Sequence, residues 1–105
     1  MTIRQFDVVA NPTRRARDIK PYLICVQHRN FDHLPTRLVA PLLVERVVKQ
    51  PTRLNPELRI SGERFFLDPV DLGTIPLRHL LSVVTNFESE RDRIIPAIDI
   101  VFTGV

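Results

Sequence analysis

Chemistry in a chain of this kind would rest on histidines, a cysteine, paired acids or a glycine-rich phosphate loop. The histidines are His28, His33 and His79. His28 and His33 share a polar stretch, with no cysteine or acid at a metal-ligand spacing, whereas a zinc site needs several convergent ligands. They read as solvated loop histidines, and no metal site or cofactor is expected. The single cysteine, Cys25, lies inside the apolar run Tyr22-Leu23-Ile24-Cys25-Val26-Gln27. It reads as a small core residue rather than a nucleophile. Gly62, Gly73 and Gly104 are too far apart for a phosphate-binding loop. Asp68 and Asp71 flank Pro69 and suit a turn. Phe65 and Phe66 suggest a base-stacking platform, but neighbours in a strand face opposite ways, so at least one belongs to the core. Residue types alone give catalysis no support. What stands out is the end, Asp99-Ile100-Val101-Phe102-Thr103-Gly104-Val105, apolar where solvated residues are usual. Such a tail either tucks into a core or dimer interface, or is an exposed binding tip.

The elements that must carry these residues are short. Nine prolines fall between brief apolar runs, a pattern of strands and loops rather than a helix bundle. Strands are expected at residues 5–10, at 22–27 as a central strand buried on both faces, and at 36–43. Pro41 cannot donate a ladder hydrogen bond and calls for an edge or a bulge there. Residues 11–17 read as a basic loop and 28–35 as a polar one. Leu58 and Ile60 alternate with polar neighbours, Ser61-Gly62-Glu63 is a tight turn, and Arg64-Phe65-Phe66-Leu67 returns as the partner strand. Residues 75–77 form one more short strand, and the pattern leaves 78–84 open. Ser89 followed by Asp92 has the form of a capping box, with Glu88, Glu90 and Asp92 at a helix's positive end. Ile94, Ile98 and Val101 give the helix over 89–102 an apolar face, Gly104 stops it, and Pro96 should kink it.

With 105 residues and a net charge of +3, the chain fits one domain spanning residues 1–105. Its basic excess is modest for a nucleic-acid binder. Arg14, Arg15, Arg17 and Lys20 form the one tight cluster, either a solvated loop or an attractor of an acidic partner segment. No apolar run approaches the length of a membrane helix. The N-terminus has no apolar signal core, and one cysteine agrees with a reducing compartment, so a cytoplasmic protein is expected.

Four stretches carry a resemblance to the CcdB family of plasmid and chromosomal toxins. Gln5-Phe6-Asp7-Val8 resembles its opening strand, and Pro21-Tyr22-Leu23-Ile24-Cys25-Val26-Gln27 its second. Thr36-Arg37-Leu38-Val39-Ala40-Pro41-Leu42 resembles its Arg-x-Val-x-Pro-Leu strand, and Ala97-Ile98-Asp99-Ile100-Val101-Phe102-Thr103-Gly104-Val105 its terminal helix and tail. The resemblance implies a mainly β fold, an SH3-like antiparallel barrel of the CcdB/MazF type with a small extra sheet and a C-terminal α-helix. It also implies a homodimer. The family's toxins bind the A subunit of DNA gyrase and trap its cleaved-DNA complex without a catalytic residue of their own. They meet DNA only indirectly, are neutralised by a CcdA-like antitoxin, and with it repress their own operon. By position, the implied gyrase-binding residues are Thr103, Gly104 and Val105, supported by Phe102 and Asp99, with Asn30 and Phe31 contributing from a loop. Glycine at 104 would permit close backbone approach. The best-known members carry tryptophan where this chain has Thr103, and their helix is continuous where this chain has Pro96. The alternative is an endoribonuclease like the MazF toxins, which share the fold, although no Arg and Thr/Ser pair for in-line RNA cleavage is recognisable.

Overall fold

Alternation builds the sheet. In the computed structural model, which describes residues 2–105, the strands are β1 (Asp7–Ala10), β2 (Tyr22–Cys25), β3 (Thr36–Val44), β4 (Glu57–Ile60), β5 (Glu63–Leu67), β6 (Gly73–Pro76) and β7 (Val83–Asn86). Successive side chains point to opposite faces. Val8, Ile24, Val26, Ala40 and Leu42 therefore gather on one side with Phe6, Leu58, Phe65 and Leu67. Val9, Leu23, Cys25 and Val39 gather on the other with Ile3 and Leu80. Both clusters are buried, so β2 is a strand covered on both faces, as its unbroken apolar run requires.

The strands pair antiparallel in the order β4-β5-β3-β2-β1-β7, with β6 branching from β3. The sheet curls into a half-barrel, the expected class of fold. The expected small extra sheet does not stand apart: all seven strands belong to one sheet, and β6 joins it as a branch on β3. β3 is long enough to hold β2 along one edge while β6 and then β5 follow each other along the other. Pro41 sits where those two partners change over, between Val39 opposite Gly73 and Leu42 opposite Leu67. Its carbonyl accepts the Asp68 N–H at 3.0 Å. A residue's N–H and C=O share one edge of an antiparallel strand, so the missing donor faces this gap and the ladder loses nothing. β3 thus needs neither a bulge nor an outer position.

Between β4 and β5, Ile60 pairs with Glu63, and both Ser61 (φ 51°) and Gly62 (φ 83°) are left-handed. That is the backbone of a two-residue hairpin turn whose twist matches the strands. The stacking platform does not form. Phe66 is fully buried, and Phe65 is buried with its ring edge-on to Tyr22 at 5.2 Å. The open stretch after β6 is a 3-10 turn, Leu77–His79, leading into β7.

The helix α1 spans Arg91–Thr103 after a 3-10 turn at Glu88–Glu90. The capping box does not form. Ser89 lies inside the 3-10 turn, and Glu90, at the helix start, makes no side-chain cap bond. Asn86 acts instead, its Oδ1 accepting the Glu88 N–H at 2.7 Å. The buried face is Ile94 with Ala97, flanked by half-buried Ile95 and Ile98. Val101 runs past the core and is exposed. Burying one side chain such as Ile94 contributes roughly 1.5–3 kcal/mol, so this narrow face suffices to dock α1 on the sheet. The helix continues unbroken through Pro96, which faces solvent. No helix among the described residues is long and apolar enough to cross a membrane.

Candidate functional site

The outer end of α1 is held by its own short-range bonds. Gly104 closes the helix at φ 79°, donating its N–H to the Ile100 carbonyl at 2.8 Å. A Cβ built there would meet nothing within 4 Å. Close approach is therefore not what this position demands within the chain itself; the left-handed φ is. Thr103 folds back, its hydroxyl donating to the Asp99 carbonyl at 3.0 Å and accepting the Val105 N–H at 3.3 Å. These bonds give residues 103–105 one shape while leaving their outer surface free. Phe102 is 74% exposed and Val105 82%. Asp99 is exposed near the negative end of the helix dipole, and among the described residues no cation pairs with it. The tip therefore offers an aromatic ring, a branched aliphatic group and an unpaired carboxylate.

Asn30 and Phe31 lie in a 3-10 turn, Arg29–Phe31, between β2 and β3. The His28 side chain caps it by accepting the Asn30 N–H at 3.0 Å. Both residues are exposed, Phe31 by 52%. The main element contacts of α1 are with the turns at Pro69–Asp71 and Glu88–Glu90, and the Arg29–Phe31 turn is not one of these. No main contact of α1 therefore joins the expected tip to the loop.

The groups weighed for chemistry lie apart from one another. Burial pushes the Cys25 thiol up, away from the reactive thiolate. His33 and His79 are exposed. Asp71 pairs with Lys20. No group of described His, Cys, Asp or Glu residues is arranged to hold a metal. A polar cavity of about 900 Å³ lies among Arg4, Asp7, His28, Arg29, Asn86 and Arg91. In it Asp7 is committed to the Arg4 N–H at 2.8 Å and the Asn86 amide at 2.9 Å, a structural role.

Two residues near the loop stand within the strand motifs quoted above, but sequence reading assigns neither a role. Arg37 is fully buried and donates only to backbone carbonyls. Gln27 bridges the end of β2 to the loop and to β3. Strand parity held a signal for the first, since Arg37 shares the inward face of Val39. Gln27 has no such signal.

Compared with protein families, the chain matches the model described as CcdB protein over residues 5–104. A search of curated proteins returns no match.

Proposed function

The chain belongs to the CcdB family of toxin–antitoxin toxins, and on that premise we propose that it poisons DNA gyrase by binding the A subunit of that enzyme and holding the complex in which the DNA is cut. The observation that carries this reading is the tip of α1, ordered by its own bonds yet presenting most of Phe102 and Val105 to solvent. Exposed apolar groups brought together at the end of a helix suit a partner's surface. Phe102 takes the part of aromatic anchor that tryptophan has elsewhere in the family, with Thr103, Gly104 and Val105 shaping the contact and Asp99 seeking a cation. Asn30 and Phe31 contribute from the loop. No residue of the toxin need perform chemistry, because gyrase cuts. A ligand that binds one state of a cycle more tightly than the others holds the enzyme in that state.

The toxin works as a homodimer in the cytoplasm and meets DNA only through gyrase or the antitoxin. A CcdA-like antitoxin neutralises it and with it represses the operon. Arg14, Arg15 and Arg17 are exposed and, among the described residues, free of ion pairs, which suits an acidic segment that orders on binding. With gyrase, ATP and supercoiled plasmid, the protein should yield linear DNA after detergent and protease. Absence of linear product together with cleavage of bulk RNA would overturn the reading in favour of an endoribonuclease.

A further inference from the structure

Residues 26–35 join β2 to β3 with nothing more regular than the Arg29–Phe31 turn. Connections of this kind are ordinarily mobile. Here the backbone is held from two sides. On the outer side, the Gln27 amide donates to the Phe31 carbonyl at 3.0 Å and the Thr36 carbonyl at 3.2 Å, while its oxygen accepts the Leu38 N–H at 2.9 Å. On the inner side, Arg37 donates to the Leu34 carbonyl at 2.8 Å and the Asp32 carbonyl at 3.1 Å. The same guanidinium reaches the carbonyls of Thr36 at 2.9 Å and Ile3 at 2.8 Å.

A buried guanidinium is costly, and Arg37 has no carboxylate to offset it among the described residues. An apolar residue would fill the same face of β3 at less cost. What the planar fork does, and an apolar side chain cannot, is fix several carbonyls from separate segments at once. The loop's own chemistry is compromised by this arrangement. Asp32 keeps one buried carboxylate oxygen, Oδ1, with no protein partner, a feature native structures ordinarily avoid. The loop is thus held by these two side chains in addition to its own local bonds, such as Phe31 N–H to the His28 carbonyl and Asp32 N–H to the Arg29 carbonyl, each at 3.0 Å.

We infer that Gln27 and Arg37 form a two-sided clamp that presets the Asn30 and Phe31 loop for its target. Both are positioning residues, acting through the backbone rather than by contact. The inference rests on the reading that Asn30 and Phe31 meet gyrase. Presetting removes the ordering cost that a mobile loop would meet on binding, and it offers the exposed Phe31 ring in one orientation.

Gln27→Glu is the sharpest test, because it is isosteric, keeps the acceptor for the Leu38 N–H and removes both donors. In the free, full-length chain, amide exchange at residues 30–34 should quicken by about tenfold while α1 is unchanged. Affinity for the isolated A subunit of gyrase should fall by about tenfold, with a loss of Tm smaller than that of Arg37→Lys. Phe31→Ala should then weaken binding less in the Gln27→Glu background than in wild type, the coupling expected of a residue and its positioner. Arg37→Lys should quicken exchange in the same residues, with some loss of Tm because the ammonium cannot reach every carbonyl. Loop exchange unchanged in Gln27→Glu overturns the clamp, as does full additivity with Phe31→Ala. If wild type fails to bind gyrase while Gln27→Glu still quickens loop exchange, the clamp stands and the choice of target falls.

Discussion

Glu57 accepts from Arg64 and from Arg59, each at 2.8 Å, and Arg64 reaches on to Glu45 at 2.8 Å. The hydrogen bond from Arg64 is the main reason the Glu57 carboxyl lies below the ordinary glutamate range. A carboxylate depressed on folding stabilises the fold above its unfolded pKa, and that contribution is lost as pH falls through the folded one. The Tm advantage of wild type over Glu57→Gln should therefore be present at pH 7 and shrink progressively below about pH 4.3, the unperturbed glutamate value. Thermal unfolding of both proteins from pH 7 to pH 2 checks this. An advantage that persists undiminished at the acid end would mean that Glu57 acts by packing and not by charge. At the same scale, Gly104 has a role in the free chain. Its left-handed backbone serves the helix stop, and close approach to gyrase is part of the proposed contact only.

At the scale of elements, α1 is the least regular in sequence and still the most continuous in structure. Pro96 removes one bond of the helical ladder, the one that would reach the Asp92 carbonyl, and Asp92 is exposed so that water can serve it. Tertiary docking of Ile94 and Ala97 offsets the loss. Pro96→Ala should accordingly stabilise the protein by about 1–3 kcal/mol, less than the full helix-interior penalty because proline also restricts the unfolded chain. Chemical denaturation measures it. A loss of stability would instead assign Pro96 a packing role beside Pro51 and Pro56, with which it lines one groove.

For the whole molecule, core and tip are separate properties. The two apolar clusters lie about the sheet and the inner face of α1, and residues 103–105 belong to neither. Deleting Thr103, Gly104 and Val105 should abolish toxicity in a sensitive host while changing stability by no more than about 0.5 kcal/mol, the usual range for surface changes. A large drop in Tm on deletion would make the tail structural and remove it from the proposed contact. Toxicity that survives deletion would shift the weight of binding to the loop.

The sequence alone determined what near neighbours decide. Apolar alternation set β4 and β5, Ser61 and Gly62 set their turn, and the unbroken run at Tyr22 marked a doubly covered strand. Gly104 ended the helix. These features depend on backbone period and local sterics, which need only a few adjacent residues. Tertiary structure decided what depends on the chain returning over itself. Because both faces of the sheet are covered, Phe65 and Phe66 are buried together. Because β6 and β5 share one edge of β3, Pro41 sits harmlessly at their junction. Because Ile3 and residues 32–36 converge on Arg37, a charged side chain enters the interior and grips a loop. Burial and partnership are set by segments distant in sequence, so a residue's type announces its capacity and only the fold assigns its use.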